Sequence, residues 1–80
     1  MAYGTIRYWA AAKAAAGRDD EPYDAATLGE ALSAAERAHG PQLAAVLARC
    51  SFLVDGLRAR PETELPEDGV VEVLPPFAGG

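Results

Sequence analysis

Cysteine occurs once in the chain, at Cys50. A lone cysteine closes no intrachain disulfide and cannot supply four-ligand zinc spacing, so a reducing compartment fits. No apolar run approaches the roughly 20 residues of a membrane span, and no apolar leader segment precedes a cleavage site. The expected location is cytoplasmic, without a membrane. Glycine-rich phosphate cradles are also missing, so the chain has no nucleotide-activating loop of its own. Positive charge is scarce: 7 basic residues face 12 acidic ones, for a net charge of −5. Lysine appears only as Lys13 and histidine only as His39. An acidic surface disfavours phosphate backbones, so no nucleic-acid partner is expected, and it favours a basic protein partner or serves solubility.

What is present suits one small domain. The larger apolar residues, among them Ile6, Tyr8, Leu28, Leu32, Leu43, Leu47, Phe52, Val54, Val71 and Val73, suffice for one modest core. Tyr3 to Tyr8 reads as an opening strand that ends at Trp9, with Ile6 and Tyr8 on one face. Ala10 to Ala16 favours a short helix closed by Gly17. Asp19 to Asp24 reads as an edge strand: its charges block further pairing and Pro22 keeps it off a central position. Thr27-Leu28-Gly29-Glu30 is a capping box, followed by Leu28, Leu32, Ala35 and His39 along one helix face. Gly40-Pro41 stops that helix and opens a second one carrying Leu43, Val46 and Leu47. Ser51 to Asp55 reads as a strand, Asp55-Gly56 as a hairpin turn, and Leu57 to Ala59 as the return strand. After the Pro66 to Gly69 turn, Val70 to Leu74 is β-branched and apolar enough to lie inside a sheet. The order β, α, β, α, α, β, β, β predicts an α+β fold, a mixed sheet of four to five strands with helices on one face.

The last seven residues, Leu74-Pro75-Pro76-Phe77-Ala78-Gly79-Gly80, carry the candidate chemistry. Pro75 and Pro76 donate no ladder hydrogen bonds, so a body over residues 1–74 gives way to an extended tail over 75–80. Each proline holds its predecessor extended, and six residues at about 3.3 Å each reach roughly 20 Å. Phe77 is an apolar anchor for a partner pocket or folds back on its own domain. Gly79 and Gly80 have no side chains, so they can thread a narrow channel. The α-carboxylate of Gly80, with an ordinary pKa of roughly 3.3–3.7, is ionised and a poor acyl donor until a partner turns its oxygen into a leaving group.

These residues resemble the small subunit of molybdopterin synthase and its relatives, the ubiquitin-like β-grasp sulfur carriers. The resemblance runs through Ile6-Arg7-Tyr8-Trp9-Ala10, Ala16-Gly17, Thr27-Leu28, Phe52-Leu53-Val54-Asp55, Pro66-Glu67-Asp68-Gly69 and the stretch Val71 to Gly80. A terminal Gly-Gly alone is weakly specific, whereas Pro-Pro-Phe-Ala-Gly-Gly after Asp-Gly and an apolar strand is strong. The family often has valine where this chain has Phe77. The resemblance implies a ubiquitin-like β-grasp fold. It implies that Gly80 is adenylated by an E1-like adenylyltransferase, which uses ATP, and is then converted to a thiocarboxylate with sulfur from a donor protein. It implies a heterotetramer in which two carriers insert their tails into a large catalytic subunit and deliver sulfur to cyclic pyranopterin monophosphate. The chain would then be no catalyst alone and would bind no cofactor or metal itself.

The same chemistry serves carriers for thiazole, tRNA thiolation or cysteine, although thiazole carriers are usually shorter and lack the Pro-Pro pair. A ubiquitin-like modifier joined to lysines and a non-conjugating docking module are rivals of other classes. Trp9 and Leu57 are either core or partner surface; the resemblance implies an aromatic on that surface at Trp9. His39 reads as a helix-end residue facing the negative dipole, Cys50 as a small buried filler, and Lys13 as a solvated helix residue.

Overall fold

A computed structural model describes residues 1–76. The chain runs β1 (Ala2–Tyr8), α1 (Ala10–Ala16), β2 (Asp20–Ala25), α2 (Leu28–His39), α3 (Pro41–Leu47), β3 (Ser51–Val54), β4 (Leu57–Arg58) and β5 (Val70–Leu74). This is the expected order, with small shifts of boundary. The return strand β4 stops at Arg58, one residue short of expectation, yet the Ala59 amide still donates to Phe52 O at 3.0 Å.

Local chemistry explains where the elements begin and end. Thr27 caps α2, its Oγ1 accepting from the Glu30 amide at 3.3 Å, while Glu30 Oε1 reaches back to accept from the Ala26 amide at 3.0 Å. The next two free amides of α2, on Leu28 and Gly29, donate to the carbonyls of Thr63 and Pro61. The helix closes on Gly40, which takes a left-handed φ of 89° before Pro41 opens α3. At the hairpin Asp55 and Gly56 both have positive φ, 50° and 83°, as a two-residue turn between right-twisted strands requires. Asp55 Oδ1 accepts from the Val70 amide at 2.8 Å and so pins this turn to the start of β5.

The five strands lie in the order β2-β1-β5-β3-β4. β1 and β5 are parallel, and the other neighbours are antiparallel. The apolar strand β5 is central and the proline-bearing β2 is an edge, both as its composition predicts. Residues facing each other across paired strands share one side of the sheet. One side carries Ile6, Tyr8, Tyr23, Val54, Val71 and Val73, all buried, and the helices cover it with Ala12, Leu28, Leu32, Ala35, Leu43 and Leu47. The other side carries Tyr3, Thr5, Arg7, Leu53, Arg58, Val70, Glu72 and Leu74 and, among the described residues, has no helix over it.

One acidic residue of this edge strand has an inward role as well: Glu21 lies across from Ile6, on the helix side. There its carboxylate accepts from Tyr8 Oη at 2.5 Å and lies 2.7 Å from His39 Nε2. His39 accordingly ends α2 against a carboxylate rather than only against the helix dipole.

Candidate functional site

The site is the end of the sheet from which β5 leaves. Leu74 is the last strand residue, Pro75 is half-buried and Pro76 is exposed. Because prolines have no N–H, the ladder ends here for a covalent reason. The calculated reach and anchoring role of Phe77, Ala78, Gly79 and Gly80 lie outside the described residues. What the structure places is their launch point: the central strand of the sheet, with Val71 and Val73 fully buried beneath it.

Cross-strand register builds the surface around this launch point. Tyr8 pairs with Val73, so Trp9 leaves β1 at the same end of the sheet at which Leu74 ends β5. Ser51 pairs with Leu74 from the other side. Trp9 is 44% exposed and Leu57 is 74% exposed, so both alternatives left open by the sequence resolve toward surface. They are not neighbours. Leu57 pairs with Val54, which pairs with Val71 near the start of β5. The tail base is four residues further along, about 13 Å at 3.3 Å per residue. Trp9 therefore shares the tail's end of the sheet and Leu57 does not.

The geometry behind Trp9 is unusual. Ala10 has a φ of +49°, a left-handed conformation that alanine adopts at a cost of about 1–2 kcal/mol. That turn bends the chain from β1 directly into α1, leaving Trp9 at the corner with an extended φ of −122°.

Two side chains near this end have their titration shifted upward by burial. Burial pushes the Tyr8 hydroxyl far above its usual value, and the Glu21 carboxylate it donates to adds to the shift. Burial also raises the Cys50 thiol, whose Sγ donates to Val46 O at 3.2 Å. A protonated, internally bonded thiol is a weak nucleophile, in keeping with Cys50 as filler. Lys13 forms an exposed pair with Asp19 at 2.6 Å. The Tyr8–Glu21–His39 cluster was not foreseen from the sequence. Its signal was available: Glu21 and the core residue Tyr23 are two apart in one strand and so share a face.

A mixed five-stranded sheet, helices on one side and a central last strand that runs out through two prolines define a ubiquitin-like β-grasp domain. The ThiS family model matches residues 6–80, and the chain belongs to the ThiS family. Among solved structures, small archaeal modifier protein 1 from Methanosarcina acetivorans superimposes with a TM-score of 0.88 at 22% identity, covering 100% of this chain and 98% of that one. Small archaeal modifier protein 1 from Haloferax volcanii gives 0.84 at 25% identity, covering 98% and 99%. A chain of the Helicobacter pylori complex of subunits 1 and 2 of molybdopterin-converting factor gives 0.71 at 22% identity, covering 98% and 99%. Comparison with curated proteins returns no match. Among the described residues, no helix is long and apolar enough to cross a membrane.

Proposed function

We propose that this chain is a sulfur carrier that bears its sulfur as a thiocarboxylate on Gly80 and serves as the small subunit of a molybdopterin synthase. The observation that carries this reading is that β5, the central strand, ends at Leu74, directly before the sequence Pro75-Pro76-Phe77-Ala78-Gly79-Gly80. Membership of the ThiS family, with the match extending through residue 80, supports it. Residues 1–74 act as a rigid platform and residues 75–80 as the arm.

The chain has no group to activate its own carboxylate, so an E1-like adenylyltransferase performs that step. A Gly80 carboxylate oxygen attacks the α-phosphorus of ATP and pyrophosphate leaves. Sulfide-level sulfur, delivered as hydrosulfide by a donor protein, then attacks the acyl carbon; the C–S bond forms as the C–O bond to AMP breaks, and loss of the S–H proton gives the thiocarboxylate. The loaded tail enters a large catalytic subunit, where the acceptor is cyclic pyranopterin monophosphate. The Helicobacter pylori complex supports a second subunit as the kind of partner. Trp9 and Leu74 flank the tail and form the apolar contact with it, helped by Phe77. Leu57 contributes only if the partner reaches the far end of the sheet.

A second reading is a ubiquitin-like modifier, favoured by the likeness to small archaeal modifier protein 1. Intact mass after incubation with an E1-like enzyme, ATP and a sulfur source tests the first reading, which expects a rise of about 16 Da as sulfur replaces oxygen. An unchanged mass under conditions that charge a known carrier refutes it. Lysine-linked conjugates in cells, without transfer to a pterin, establish the modifier instead.

A further inference from the structure

The side of the sheet without a helix carries its charges in a definite order. One register row crosses all five strands as Asp20, Arg7, Glu72, Leu53 and Arg58: acid, base, acid, apolar, base. Arg7 is exposed and stands between two acids, yet it makes no ion pair among the described residues. Glu72, its register partner on β5, makes none either. Around them Thr5, Leu53, Val70 and Leu74 are half-buried and Tyr3 is exposed, so largely apolar surface surrounds the two unpaired charges.

β1 and β5 are parallel neighbours in register, and this makes the face complementary to itself. A two-fold axis lying in an interface, parallel to these strands and between them, exchanges the two strands. Each β1 residue of one copy then stands above its own register partner on β5 of the other: Arg7 over Glu72, Thr5 over Val70, and the reverse. Sheets packed face to face lie about 10 Å apart, a gap that an arginine and a glutamate extended toward each other can close. Aligned sheets cross at about 30°, and residues nearest the axis keep their match through that rotation. The same operation carries the β4 edge, with Arg58, toward the β2 edge of the other copy, with Asp20. A uniformly basic or uniformly acidic partner would instead meet a like charge at Arg7 or at Glu72.

We propose that the open side of the sheet seats a second copy of this chain, in a two-fold dimer held by reciprocal Arg7–Glu72 pairs. Five strands about 4.8 Å apart and roughly five residues long cover about 400 Å² per copy. That is about half of the roughly 800 Å² per partner of a standard interface, so the dimer is weak and reversible. Repulsion between two chains of net charge −5 fades over about 8 Å at physiological salt, whereas pairs enclosed in the interface are screened less. Leu74, at the end of β5, lies within the covered area, so self-association and a partner gripping this end of the sheet exclude each other. The dimer does not depend on what Gly80 carries.

The test is sedimentation of the full chain from about 10 μM to about 1 mM in about 150 mM salt. The average mass is expected to rise with concentration from 8.3 kDa toward twice that value and no further, because a two-fold interface closes on itself. R7E and E72R should each weaken self-association at least roughly tenfold, since each sets like charges face to face. An equimolar mixture of the two variants should associate again: the two introduced charges then face each other, and so do the two native ones. Should charge reversal disturb the fold, R7Q and E72Q must each show weakening. Amides of residues 5, 7, 53, 70 and 72 should shift on dilution of the wild type. A mass fixed at 8.3 kDa up to about 1 mM overturns the proposal, as do growth beyond a dimer, single variants that associate like the wild type, or a mixture that stays monomeric. Dilution shifts confined to the helix side overturn it too.

Discussion

Replacing Glu21 by alanine should destabilise the domain by about 2–3 kcal/mol, more than a surface glutamate would. The carboxylate sits on the helix side of the sheet with 14% of its side chain exposed. It accepts from Tyr8 Oη at 2.5 Å and contacts His39 Nε2 at 2.7 Å, while Arg18 Nη1 approaches to 3.7 Å. Tyr8 is only 2% exposed, so losing the acceptor strands a buried hydroxyl at a cost of about 1–3 kcal/mol. His39 retains some access to water, so its loss adds less, on the order of 1 kcal/mol. Tyr8→Phe removes the hydroxyl and should cost about 1 kcal/mol alone. Once the hydroxyl is gone Glu21→Ala strands nothing there, so the double variant should be less unstable than the sum by about 1 kcal/mol or more. Urea unfolding of the wild type, both single variants and the double variant measures this directly. Alkaline titration adds an independent readout. The folded-state pKa of Tyr8 is raised, so its contribution is complete below the unfolded value of about 10 and fades as pH climbs above it. Tyr23, also raised by burial, adds to that decline. Tyr8→Phe should therefore soften the loss of stability above about pH 10 without abolishing it. A Glu21→Ala cost below about 0.5 kcal/mol, additive with Tyr8→Phe, would refute the idea that this cluster ties α2 and β2 to β1.

A Cβ on Gly69 would press on the Pro66 ring and come within 2.8 Å of Tyr23 Oη, which itself donates to Pro66 O. Gly69→Ala should accordingly cost more than about 2 kcal/mol in thermal or urea unfolding, and a loss under about 0.5 kcal/mol would show that the loop yields. Ala10→Gly should leave stability unchanged or raise it by up to about 1 kcal/mol, since relief of the left-handed φ opposes the added chain entropy; a clear loss would mean that Ala10 is not strained. Gly79→Ala should leave the melting temperature unchanged yet sharply reduce adenylation by an E1-like enzyme, because a methyl group obstructs a channel closed on the backbone. Phe77→Ala should weaken binding to the large subunit by more than about 1 kcal/mol at unchanged melting temperature, measured by titration calorimetry; equal affinity would make Phe77 a spacer.

Much of this protein is legible in one dimension because its signals are local. Thr27, Glu30 and Gly40-Pro41 mark the ends of α2 through groups within a few residues of one another. Asp55-Gly56 marks a turn for the same reason, and the β-branched, mostly apolar run Val70 to Leu74, interrupted only by Glu72, marks a strand inside the sheet. The proline pair likewise marks the end of β5 at Leu74 from covalent chemistry alone. Tertiary structure decided what depends on pairing between distant segments. Register puts Trp9 at the end of the sheet where β5 stops and Leu57 toward the other end, although both read as equivalent apolar candidates. Register also turns Glu21 inward onto Tyr8 and His39, and it sets Arg7 beside Glu72 on the open side of the sheet. A strand's alternation states which residues share a side; only its neighbours determine which side is buried and which group waits there.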